Sequence, residues 1–221
     1  MSIKNSREVS VPAKLDKVFG RNITLVYNVL DLKQIDRNKL RDLISDINPA
    51  IMDTPEMIVD IFPPNPPIIQ LGDNRIRISI PSEIEGLGDF PLWELAHKSH
   101  KLVKSDKSLL IAYGYNYDFG IILSDQSANN YLRSKFIVNQ GHLESILEGN
   151  LVSFSPRIVY KDEKTQYDLI FEPLENLGIK LHSNAHFEIE DIELPDIDDL
   201  RYSFEHEFNH ILRIVMKLLN S

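Results

Sequence analysis

The sequence predicts an α+β fold built on a mainly antiparallel sheet. Three observations carry this. Segments rich in β-branched and aromatic residues interchange with segments of helical periodicity. Several strand-like runs follow one another with only a turn between them, as at Gly72-Asp73-Asn74. The chain closes on a long amphipathic stretch, from Pro195 to about Leu219.

Residues 1–20 are polar and contain Pro12, and read as an N-terminal arm with a short strand at Glu8–Val11. Asn22–Leu30 reads as a strand, and Asp36 caps a helix to about Ile47, with Leu40, Leu43 and Ile44 on its apolar face. Strands follow at Met57–Phe62, Ile68–Leu71 and Arg75–Ile80. The Arg-Ile-Arg-Ile-Ser-Ile alternation of the last makes it half exposed. A Gly- and acid-rich link, Ser82–Asp89, leads to a helix from Pro91 to about Val103.

The second half has the same order. A strand spans Ser108–Leu123, Asp125 caps a helix carrying Tyr131, Leu132 and Phe136, and a short helix lies at His142–Leu147. Strands at Leu151–Lys161, Gln166–Glu172 and Gly178–Glu190 precede the closing helix. Strand, helix, three strands, helix thus occurs twice, over 21–104 and 108–219. Leu25-Val26-Tyr27-Asn28 is locally alike to Tyr113-Gly114-Tyr115-Asn116, with Asp31 and Asp118 downstream. Two readings are open: a duplication with a ligand groove between the halves, or the ordinary alternation of an α+β protein. No Pro/Gly/Ser-rich linker divides them, so 21–221 is expected to form a single unit.

The chain has 221 residues, 43% hydrophobic and 26% charged, a globular composition. A net charge of −9 supplies no electrostatic footprint for phosphate backbones, which argues against direct nucleic-acid binding and suits a basic protein partner. With no cysteine, any metal must use His and carboxylate. The N-terminus lacks the apolar core of a signal peptide, and no apolar run approaches the roughly 18 residues that span a bilayer. A cytoplasmic address without membrane contact is the expectation.

The stretch Ile68-Ile69-Gln70-Leu71-Gly72-Asp73-Asn74-Arg75, then Asp89-Phe90-Pro91-Leu92-Trp93-Glu94 and Gly114-Tyr115-Asn116-Tyr117, resembles a sporadically distributed family of uncharacterised bacterial proteins. Its members place an "iQL-x-x-dR" strand before a "YP-x-W/Y-E" helix and a "g-x-x-Y-x-N" strand. The resemblance covers about the middle third of the chain, and the family's Arg-Tyr-Ile-Asn element is replaced here. It implies a bacterial α+β protein and carries no catalytic residues over.

His206-Glu207-Phe208-Asn209-His210 matches the metalloprotease pattern, in which His206 and His210, one helical turn apart, bind zinc and Glu207 acts as base toward a bound water. The helical wheel opposes this. Ile197, Leu200, Phe204, Phe208, Ile211, Val215 and Leu218 form the core-facing stripe, and at about 100° per residue His206 and His210 fall on the other side, beside Asp199, Arg213 and Lys217. No His or Glu follows His210 to serve as a third ligand. The alternatives are an adventitious or structural metal site at these histidines and a plain closing helix with no cofactor.

His97 and His100 flank an apolar stripe beside Trp93 and read as packing. His182 and His186, about 13 Å apart on one strand face, cannot share an ion and read as satisfied edge or core residues. No dinucleotide, Walker or nucleophile-elbow motif occurs. The acidic run from Glu188 to Asp199 reads as a solvated strand end with favourable charge at a helix N-terminus, or as a cation or basic-partner site. The prolines of 62–67 read as a rigid connection or a docking peptide. The leading expectation is a non-catalytic interaction subunit in a bacterial cytoplasmic assembly. The alternatives are a zinc-dependent hydrolase using His206, Glu207 and His210, and a small-molecule binder. The sequence leaves the oligomeric state open.

Overall fold

A computed structural model describes residues 13–44, 49–62, 67–81, 92–105, 107–124, 126–162, 164–174, 178–189 and 193–221. The architecture is α+β. Among the described residues, nine strands form one antiparallel sheet: β1 (Ala13–Tyr27), β2 (Ala50–Asp53), β3 (Met57–Ile61), β4 (Ile68–Gly72), β5 (Arg75–Pro81), β6 (Leu110–Leu123), β7 (Arg157–Asp162), β8 (Thr165–Pro173) and β9 (Gly178–Glu188). The helices are α1 (Arg37–Arg41), α2 (Leu92–Val103), α3 (Ala128–Phe136), α4 (Gln140–Leu147) and α5 (Ile197–Asn220).

The strand order, β2-β3-β4-β5-β1-β6-β9-β8-β7, is nearly symmetric about the central β1–β6 pair. In each half the first strand pairs with the last, and the intervening strands fan outward as hairpins. The first half has one strand more than expected, the exposed edge strand β2. The β4–β5 hairpin turns through Asp73 and Asn74, both at positive φ, as the tight hairpin turn suited to right-handed strand twist requires.

One face of the sheet is the core. Ile23, Leu25 and Tyr27 of β1, Tyr115, Tyr117 and Phe119 of β6, and Leu169 and Phe171 of β8 are buried on it at period two. Helices α1, α2, α3 and α5 bury Leu40, Leu95, Leu132 and Ile211 in the same cluster. Tyrosine hydroxyls from the sheet reach the backbone of α5: Tyr117 donates to the Phe204 carbonyl at 2.6 Å and Tyr115 to that of Leu200 at 3.5 Å. Each ring thereby buries its body without orphaning its hydroxyl.

Several boundaries differ from the sequence reading. Residues 13–20 of the expected arm belong to β1, which pairs with β6 through register shifts at Leu15/Val18 and Val18/Gly20; these irregularities hide the alternation. Strand β7 begins at Arg157 rather than Leu151. Helix α1 is five residues long, capped by Asp36 as expected. The cap of α3 is Ser127, and the expected cap Asp125 lies outside the described residues, as do the Glu8–Val11 strand, the Ser82–Asp89 link, Pro91 and residues 63–66.

Candidate functional site

On α5 the buried stripe is Leu200, Phe204, Glu207, Ile211, Val215 and Leu219. Phe208 and Leu218 are only partly buried and Ile197 is 39% exposed, so the stripe is rotated from the expected one and a carboxylate lies inside it. Glu207 Oε2 accepts from the Tyr167 hydroxyl at 2.7 Å, and the bond keeps the buried carboxylate partnered. His206 is exposed, with Nδ1 3.5 Å from Glu207 Oε1, and its ring stacks on Tyr202. His210 is not opposite the core: its ring lies at 5.3 Å and 20° to Tyr167, which stacks on Tyr160 in turn.

The three motif side chains therefore meet different surroundings. A zinc-bound water needs both imidazoles and the base in one cleft. Here the base faces the sheet, one imidazole faces solvent and the other lies flat on a tyrosine. Among the described residues, no group of three or more His, Asp or Glu is placed to hold a metal.

His97 and His100 pack as expected. His97 Nε2 is 2.6 Å from the Pro195 carbonyl, and His100 Nδ1 is 2.9 Å from the Tyr27 hydroxyl with the two rings stacked. Burial pushes His100 down to about 4. Asp196 caps α5, and Asp198 and Asp199 stand in its first turn, where negative charge is favourable.

The opposite face of the sheet holds an arrangement that sequence spacing does not reveal. Ser79, Asn22, Asn116, Asn184 and Asp168 lie in register across β5, β1, β6, β9 and β8. Asn184 Nδ2 donates to Asn116 Oδ1 at 2.7 Å, and Asn116 Nδ2 to Asn22 Oδ1 at 2.8 Å. The Thr24 hydroxyl also donates to Asn22 Oδ1, at 3.1 Å. One row further along, Asp118 Oδ1 and His182 Nδ1 are 2.7 Å apart, and this hydrogen bond raises the His182 pKa. His182 lies on β9, an interior strand, not at an edge.

No family model and no curated protein matches the chain.

Phe19 falls in the irregular stretch of β1, and its ring lies over Gly120, where a Cβ would come within 3.2 Å. The absence of a side chain at Gly120 lets the ring lie against the strand. Phe19, Asn22, Ser79, Asn116, Asp118 and His182 line a pocket of about 380 Å³ that Arg77 borders. Arg75 and Arg77 alternate onto this face from β5, are exposed, and form no ion pair with a described residue. Arg157 by contrast is paired with Asp168 at 2.6 Å. The arrangement is one of ordered amides, a hydroxyl, a tethered imidazole and guanidinium groups that form no ion pair among the described residues. It suits recognition by hydrogen bonding; no described Ser or Thr hydrogen-bonds to His182.

Proposed function

We propose that the chain is a non-catalytic recognition protein of a bacterial cytoplasmic assembly that docks a protein partner on the open face of its sheet. The observation that carries this is the Asn22–Asn116–Asn184 row, a fixed line of amides on the face opposite the buried helix contacts. Asparagine is depleted in strands because it packs poorly on a pleated surface. In register across the central strands, Asn22 and Asn184 are partly exposed and are held in place by the buried Asn116 between them, so they offer a partner pre-ordered polar groups with little entropy left to lose. The four strands β5, β1, β6 and β9 span roughly 15–20 Å. No described helix is long and apolar enough to cross a membrane.

The test is site-directed photo-crosslinking in the native host. A benzophenone amino acid is placed either at Gln166, exposed on the open face, or at Tyr202, exposed on α5. The expected result is a protein adduct from Gln166 and none from Tyr202. A partner captured from Tyr202 alone would place docking on the helices and end this reading.

A further inference from the structure

We propose that the segment docking on this face is an acidic peptide, one carboxylate of which enters the pocket between Phe19 and Arg77. This rests on the open-face reading and specifies its partner. A net charge of −9 by itself points to a basic partner, but charge is unevenly placed. Asp196, Asp198 and Asp199 gather at the start of α5, on the helical side. On the open face the anion within the pocket, Asp118, is held by His182, and Asp168 by Arg157, while Arg75 and Arg77 stay uncompensated among the described residues.

The hydrogen-bond direction of the amide row agrees. Asn184 and Asn116 each donate toward β5, and Asn22 Oδ1, which receives both Asn116 Nδ2 and the Thr24 hydroxyl, has its lone pairs taken. Asn22 Nδ2 has no acceptor among the described residues, and Asn22 lines the same pocket as Ser79. What this end of the row offers is donors beside a guanidinium, the combination that selects a carboxylate over an ammonium. The Phe19 ring supplies an apolar wall for the methylenes of a Glu side chain. The pocket volume of about 380 Å³ admits such a side chain with its first-shell water.

The test uses the full chain and two fluorescein-labelled decapeptides, one of alternating Glu and Ser and one of alternating Lys and Ser, followed by fluorescence anisotropy at about 50 mM salt, where surface charge is weakly screened. The Glu-Ser peptide is expected to bind and the Lys-Ser peptide not to. The double variant Arg75→Glu, Arg77→Glu should weaken binding by about tenfold or more, with unchanged circular dichroism and urea midpoint because both side chains are exposed. A second double variant, Lys98→Glu, Lys101→Glu, addresses the rival cationic groove between α1 and α2 and should leave binding unchanged. The side-chain amide resonances of Asn22 and Asn116 should shift on titration. No binding of the Glu-Ser peptide, equal binding of the Lys-Ser peptide, loss of binding in the lysine variant instead of the arginine variant, or tighter binding of an oligodeoxythymidylate would each overturn the proposal. A partner crosslinked from Gln166 through a basic segment would overturn this inference alone and leave the open-face reading standing.

Discussion

The Tyr167 hydroxyl donates to the Glu207 carboxylate at 2.7 Å, across the interface between β8 and α5. The bond makes Glu207 a packing residue of the core. Glu207→Gln keeps an acceptor for the hydroxyl and should change stability by less than about 1 kcal/mol, whereas Glu207→Ala leaves the hydroxyl unpaired and should cost about 1–3 kcal/mol. Urea denaturation of the two variants checks this. Equal losses would show that the hydrogen bond is not what holds Glu207 in place.

His100 gives a pH dependence of definite sign. Its folded pKa, about 4, lies below the unfolded value of 6.5, so the unfolded chain binds more protons between these limits. The neutral buried imidazole contributes fully above pH 6.5, and its contribution falls away as the pH drops toward 4. Between pH 7 and pH 5 this amounts to about 2 kcal/mol. Unfolding free energies of the wild type and His100→Gln at those two pH values should converge by that amount at pH 5. A constant difference would mean that His100 does not titrate with unfolding.

Asp60 acts in the opposite sense. Both of its carboxylate oxygens are buried without a hydrogen-bond partner among the described residues, and burial raises its pKa from 3.8 to about 6 against the opposing pull of Arg41. Its folded pKa lies above the unfolded one, so ionisation costs stability as the pH rises through about 6. Asp60→Asn should therefore stabilise the protein by about 2 kcal/mol at pH 7.5 and by much less at pH 4.5. Thermal melts at both values decide it. Destabilisation at both would mean that the carboxylate is needed.

Gly114 and Gly141 should respond to alanine with opposite signs. A Cβ at Gly114 would meet the Ala185 carbonyl at 3.1 Å, a backbone atom that moves only if β6 and β9 separate, while Gly141 in α4 has open space, its nearest neighbour at 4.0 Å. Gly114→Ala should cost about 1–3 kcal/mol, and Gly141→Ala should gain about 0.5 kcal/mol by restricting the unfolded chain. Denaturant midpoints of the pair measure this.

The Asp118–His182 bond is open to direct titration. Because Asp118 is the main cause of the raised pKa, Asp118→Asn should lower the His182 midpoint toward 6.5 or below as followed by imidazole NMR shifts. An unmoved midpoint would locate the cause elsewhere.

Much of the fold could be read in the sequence because burial leaves a periodic trace. Arg75–Ile80 shows its period of two, Asp36 caps its helix, and Leu200, Phe204, Ile211 and Val215 are buried at helical spacing as expected. Glu207 was missed because a carboxylate in an apolar stripe makes sense only with Tyr167 opposite it, and that tyrosine lies 40 residues away. The open-face row was illegible for the same reason: Asn22 and Asn116 are 94 residues apart, Asn116 and Asn184 68. The signal available was weaker, namely asparagines at outward positions in mid-strand, where asparagine is uncommon.

The near-symmetric strand order also predicts an order of events in folding. The hairpins β4–β5 and β7–β8 join residues close in the chain and are expected to close quickly. The β1–β6 pairing must bring together segments about ninety residues apart, and it gains nothing until each flank has formed a surface to receive it. The last contacts to form are then those that align Asn22 with Asn116, so the polar row is completed only when the whole sheet is.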